Sequence, residues 1–310
     1  MAFTAKDVKD LREATGVGMM DCKKALTESD GDMEKAIVYL RERGLAAAQK
    51  KAGRVTAEGV AYANVYDGVG VAVEVNAETD FVAKNEMFNA FVAGVAEAVA
   101  KYSPANVDAL MAEKFPGTDT TVAEQQQEMI LVIGENISVR RFARYADGFS
   151  IPYVHAGGKI GVIVNLDVSG ISNMDVVTEL GKDIAMQIAA MRPLYLDASS
   201  VDATELEKEK EIQLAKALEE NKAKNLPEDK SRQIAENMVK GRINKFYEEI
   251  CLLNQPYVKE NKLTVEQHVA QVAKELGGSI KINAFTRFEK GEGIEKKEDD
   301  FAAEVAKMVK

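Results

Sequence analysis

The chain has 310 residues, room for two or more domains, with 40 Lys and Arg against 50 Asp and Glu and a net charge of −10. That balance gives no general attraction to nucleic acid or to an anionic membrane surface and favours a protein partner or a small ligand. Hydrophobic residues make up 46%, enough for buried cores, and no apolar run approaches the roughly 18 residues of a membrane span.

Residues 3–44 read as three helices of about 10 residues each around one small core. Thr4 with Asp7 caps the first, Gly16 and Gly18 break it, a second runs Met19–Glu28, and a third follows the Ser29-Asp30-Gly31-Asp32 turn and ends near Gly44. About 40 residues are marginal for stability alone. From Leu45 to Glu58 the pattern dissolves into a basic linker or frayed helix.

Val60–Asn76 alternates as a β-hairpin turning at Asp67-Gly68. The hairpin recurs: Tyr62, Val69, Gly70, Val71, Val73 and Val75 match Tyr153, Ile160, Gly161, Val162, Val164 and Leu166 at a constant offset of 91. A further strand recurs at offset 143, pairing Gly134, Ile137, Val139 and Phe142 with Gly277, Ile280, Ile282 and Phe285. Each copy is therefore a hairpin, helices and a third strand, with about 50 extra residues in the second copy, from Asp202 to about Ile250. That insert is highly charged, breaks at Asn225-Leu226-Pro227 and spaces Val239, Ile243, Phe246 and Ile250 as a helical seam. It reads as an antiparallel helical hairpin with arms roughly 30 Å long. Glu295–Lys310 closes the chain as a one-sided helix with Phe301, Val305 and Met308 on its apolar stripe.

Chemistry-bearing constellations are few. Cys22 and Cys251 form no metal-ligand pattern and read as free thiols, and two histidines offer no zinc-protease pair. The start carries acids and no apolar core, so neither a secretory signal nor a transit peptide is expected and the chain reads as cytoplasmic. Gly16-Val17-Gly18 and Gly157-Gly158-Lys159 both fail the context of a phosphate loop. Met19 and Met20, adjacent on a turn, either fill a small core or present flexible thioethers to a partner. His155 sits in the turn of the second hairpin without an acid or nucleophile adjacent. Thr79-Asp80-Phe81-Val82 opens a helix that continues through Phe88, Phe91 and Val95. Thr79 or Asp80 can cap it with Phe81 packed underneath, or the acid and the ring form an exposed wedge. The repeat favours the wedge, because the second copy has Ile171 and Ser172 there, so the scaffold does not demand Asp-Phe.

Five motifs spread over nearly the whole chain resemble the bacterial translation elongation factor Ts family, in family order. They are Thr15 to Leu26 preceded by Leu11-Arg12-Glu13, Glu74 to Val82, Ile133 to Ile137, Gln255 to Val258, and Arg287 to Ile294. The resemblance implies an α+β protein. In this chain's numbers it would comprise a three-helix ubiquitin-associated-like (UBA-like) domain at 1–45, a linker at 46–58, and core subdomains at 59–148 and 149–291. A helical-hairpin insert at 202–250 and a C-terminal helical module at 292–310 complete it. It further implies a guanine-nucleotide exchange factor, not an enzyme, that needs no cofactor or metal of its own. Its partner would be elongation factor Tu, GDP-bound and nucleotide-free, with a 2:2 assembly allowed. By that likeness Thr79, Asp80, Phe81 and Val82 would dislodge the partner's Mg²⁺. Arg12, Met19, Met20 and Lys23 would touch its nucleotide-binding domain, as would the C-terminal helix, and His155 would face its other domains. Two rival readings are a scaffold that binds a translational GTPase without exchange, and a nucleotide-binding α+β enzyme. Lys159, where many relatives have Arg, and a long Tyr102–Gln127 stretch depart from the family without touching the wedge.

Overall fold

The computed structural model describes residues 3–222 and 227–295. The described residues fall into two compact units, one of 3–147, 152–163 and 288–295, the other of 148–151, 164–222 and 227–287. The fold is α+β, with helices first and two three-stranded sheets after them. The expected C-terminal helix falls mostly on 296–310, outside the described residues.

In the first unit, α1 (Ala5–Thr15) starts at the expected capping box: Thr4 N–H donates to the Asp7 carboxylate at 2.6 Å and Asp7 N–H donates to the Thr4 hydroxyl at 3.3 Å. The two bonds from Thr4, the backbone one first, hold the Asp7 carboxyl below its ordinary range. Helices α2 (Met19–Glu28) and α3 (Met33–Lys51) complete a cluster around Leu11, Cys22, Ala25, Leu26, Ala36 and Leu40.

The third helix is 19 residues long, not about 10, and absorbs half of the stretch read as a linker. Gly44 does not end it. A Cβ there would lie 3.2 Å from the Gln127 carbonyl oxygen, so the glycine permits a close approach between two helices. Beyond it Ala47 and Ala48 pack on the core of the sheet, and Leu131 and Val132 pack on the three-helix cluster. A core too small to stand alone thus borrows apolar surface from its neighbour.

Strands β1 (Glu58–Tyr66) and β2 (Val69–Ala77) pair from Glu58↔Ala77 to Tyr66↔Val69 across the predicted turn, where Asp67 and Gly68 take φ of 49° and 85°. Positive φ at both positions is the type I′ geometry that Asp-Gly favours. The next elements are α4 (Asp80–Ala83), α5 (Glu86–Tyr102), α6 (Val107–Ala112), α7 (Val122–Ile133) and β3 (Ile137–Tyr145). Strand β3 pairs antiparallel with β2, which is central, with a register shift between Glu74 and Val75. One face of the sheet buries Val71, Val73 and Val75 with Phe88, Val92 and Val95 of α5. On the other, Ala61, Ala63 and Ala72 meet Ile163 and Phe288.

Strands β4 (Phe149–His155) and β5 (Ile160–Ser169) are the second hairpin, followed by α8 (Met174–Met191). The charged insert is a pair of packed helices, α9 (Ala203–Lys222) and α10 (Glu228–Ile250), joined across their close ends by Asn221 Nδ2–H to the Ser231 carbonyl at 2.9 Å. Of its predicted seam Ile243 is buried, while Val239, Phe246 and Ile250 are half-buried. Strands β6 (Pro256–Tyr257) and β7 (Glu260–Thr264), helix α11 (Val265–Glu275) and β8 (Ser279–Glu289) end the second unit's run. The second sheet has the order β4-β5-β8, so each sheet is a hairpin joined by a later strand beside its second member.

Candidate partner-binding site

The Glu78–Val82 loop leaves the end of the central strand β2 and enters α4, a single turn. The helix does not continue through Phe88. It stops at Lys84, and Asn85 starts α5 by accepting from Met87 N–H at 2.9 Å and Phe88 N–H at 3.2 Å. The turn is therefore a separate element between strand β2 and the capped helix α5.

Thr79 stands at the N-cap position, yet its side chain caps nothing in α4. Its hydroxyl donates to one oxygen of Glu135 at 2.7 Å and its N–H donates to the other at 3.0 Å. Next to it, Glu78 accepts from Asn136 N–H at 2.6 Å and from Arg54 Nη1 at 3.3 Å. Lys51, at the end of α3, lies within electrostatic reach of both carboxylates. Val82 is buried in the first unit's main core, giving the turn an apolar root. Phe81 points the other way and is 79% exposed, so the reading with its ring packed underneath is overturned. A largely exposed aromatic on a tethered loop is costly to keep in water and gains by insertion elsewhere. Among the described residues the Asp80 carboxylate pairs with Lys84 Nζ, at 3.3 Å with both groups exposed, a pair that contributes little and is easily exchanged for another partner.

A second exposed apolar feature lies at the start of α2, where Met19 is 50% and Met20 75% exposed. The alternative that they fill the small core is excluded; Val17, Cys22 and Leu26 do so. Lys23 is exposed one helical turn further on, and Arg12 is exposed on α1. His155, at the exposed end of β4, holds its Nδ1 at 2.8 Å from the Tyr153 hydroxyl. All nine residues singled out in the sequence belong to the first unit. No cluster of three or more His, Cys, Asp or Glu among the described residues could hold a metal ion. Both cysteines are buried and unpaired, and burial raises both thiols, Cys251 to about 11.

This geometry belongs to a chain whose relatives are clear. The family model described as elongation factor TS matches residues 78–292. A protein of Clostridium perfringens strain SM101 named elongation factor Ts is 52% identical over 310 residues, with 99% of each chain covered. The chain belongs to the elongation factor Ts family. Proteins of the same name from Syntrophotalea carbinolica, 50% identical with both chains fully covered, and Trichlorobacter lovleyi, 50% identical over 99% of this chain and 98% of that one, agree. The family match begins at Glu78, the residue that opens the exposed loop.

Glu135 and Glu78 lie inside two of the sequence motifs, and nothing local in either motif marks the role they take in the fold. Charged residues beside Gly134 in a loop look solvated until the fold brings together chain positions 56 residues apart.

Proposed function

We propose that this chain is a guanine-nucleotide exchange factor. It binds GDP-bound elongation factor Tu, displaces the partner's Mg²⁺ and promotes GDP release so that GTP can enter, supporting the elongation step of protein synthesis. The single observation that carries this reading is the exposed Phe81 beside Asp80 on a turn fixed at both ends, in a chain of the elongation factor Ts family. Burying the ring in a partner contributes about 1.5–3 kcal/mol, available only when the partner opens a gap to receive it. An open partner holds its nucleotide less tightly. By reciprocity, a factor that prefers the nucleotide-free form weakens GDP binding by the same ratio. The metal ties the nucleotide phosphates to the partner through oxygen ligands, and a carboxylate carried in by Asp80 competes for that region. No covalent bond is made or broken, so the chain acts as a binding protein and not as an enzyme. Met19, Met20, Arg12 and Lys23 form a second contact, and His155 a third. The factor works in the cytoplasm beside the translation machinery; no described helix is long and apolar enough to cross a membrane.

Stopped-flow release of a fluorescent GDP analogue from elongation factor Tu tests this. The parent chain is expected to accelerate release strongly and the Asp80→Ala/Phe81→Ala variant, with unchanged circular dichroism, to lose most of that effect. Binding by the parent without acceleration would sink the exchange reading and leave a scaffold.

A further inference from the structure

The two copies of the sheet differ where the hairpin's second strand and the third strand's leading loop come together. In the second copy the positions equivalent to Glu78 and Thr79 are Ser169 and Gly170, and those equivalent to Glu135 and Asn136 are Gly278 and Ser279. There the loops close by backbone packing. A Cβ on Gly278 would lie 2.4 Å from the Ser169 carbonyl oxygen, so nothing larger than glycine fits. The sheet therefore needs no side chain at this junction. The first copy places two carboxylates there, against mutual repulsion, with Lys51 and Arg54 supplying the counter-charge. Both oxygens of Glu135 are spent on one residue, Thr79, whose N–H and hydroxyl they fix together. Two charge-assisted bonds to a single residue set its orientation as well as its place. Thr79 immediately precedes Asp80 and Phe81.

We propose that Glu135 is a positioning residue for the exposed tip: its bidentate hold on Thr79 aims Phe81 and keeps the ring from collapsing onto its own protein. The proposal rests on the exchange reading for its consequence, and on the geometry of the first unit for its mechanism. Glu78 plays the reciprocal part, fixing the Glu135 loop through Asn136 N–H. Each loop thus lends the other a carboxylate, and the pair acts as a lock. A tip free to turn would present the ring in many directions, and misplacement of a contacting group is paid for in rate.

The chain contains no Trp, so Phe81→Trp introduces a lone indole at the tip. Time-resolved anisotropy of that indole in the free protein reads the lock without any partner. Adding Glu135→Ala is expected to free the indole on the nanosecond timescale, with Glu135→Gln, which keeps one acceptor, intermediate and Thr79→Val similar to it. In GDP release from elongation factor Tu, Glu135→Ala is expected to cost about tenfold in acceleration when Phe81 is present and nothing further in a Phe81→Ala background. An indole equally immobile in the Glu135→Ala protein would overturn the lock, whatever the exchange rate does. Equal losses with and without the Phe81 ring would overturn positioning and mark Glu135 as a contact or a fold residue. If the parent chain itself fails to accelerate release, the exchange reading falls, and the anisotropy alone decides the lock.

Discussion

β1-β2-β3 and β4-β5-β8 are two versions of one sheet, and their central strands carry different polar residues at the same point. In the first, Glu74 is fully buried and accepts from Arg140 Nη1 at 2.9 Å, Arg141 Nε at 2.5 Å, Asn76 Nδ2 at 3.1 Å and Gly291 N–H at 2.8 Å. In the second, the equivalent Asn165 is buried and donates to the Ser150 hydroxyl at 3.0 Å, with Asn283 Nδ2 at 3.5 Å from its oxygen. Where the first sheet has Arg140 and Arg141, the second has Asn283 and Ala284. A neutral amide therefore satisfies this point in the strand. The charges of the first copy have another use, since Arg140 and Arg141 also reach the carbonyl and carboxylate of Glu292, and Arg141 lies 4.4 Å from the centre of the Phe288 ring. They hold the segment that follows β8.

The largest effect is expected from breaking that cluster on one side only. Glu74→Ala strands two guanidinium groups that are each about one-third exposed, and it should cost about 3 kcal/mol in urea denaturation, the lower end for a buried pair losing one partner. Importing the second copy's solution, Glu74→Asn/Arg140→Asn/Arg141→Ala, should recover most of that loss while residues 288–294 lose hydrogen-exchange protection. A triple variant as unstable as the single one would show that the charges belong to the sheet itself. Next, Asp80→Ile/Phe81→Ser installs the second copy's residues at the tip. Stability should move by no more than about 0.5 kcal/mol, as for other exposed substitutions, while acceleration of GDP release disappears. A large loss of stability would show that the tip is part of the fold after all. The smallest effect concerns pH. Each unit buries one thiol, Cys22 in the first and Cys251 in the second. A thiol whose folded value is raised contributes stability below its unfolded value and loses it as pH rises through the folded one. The window for Cys251 runs from 9.0 to about 11. Over it, the rate of thiol labelling in the second unit should rise more steeply than thiolate formation alone predicts.

Legibility followed chain distance and the visibility of a partner. Asp67-Gly68 and the Thr4–Asp7 box are local, and both stood as read. The length of α3 was hidden because Leu45 to Lys51 is alanine-rich and lacks an apolar stripe; its reason for being helical, the packing of Ala47 and Ala48 on a sheet core, comes later in the chain. Capping by Thr79 stays open in the sequence as one of two readings because capping preference is a local rule, while the acceptor that captures its hydroxyl is on another loop. The exposure of Phe81 was legible only through the repeat, which showed that the position is free to be something else. Glu74 lies in an alternating valine run, a pattern that by itself says nothing of its burial, and it is buried because both faces of that strand are covered.

One further consequence comes from α3. It runs unbroken from the three-helix cluster, where Ala36 and Leu40 are buried, to the sheet core beneath Ala47 and Ala48. The methionine pair and the aromatic tip are thereby mounted on one frame, and the proposed partner meets a bivalent ligand. Once either end has engaged, the other binds at an effective concentration set by the frame, and the avidity exceeds what either contact supplies. On the proposed reading the same arrangement would ease departure: an incoming nucleotide that dislodged one of the two contacts would leave the other to hold the complex alone, without the gain from linkage.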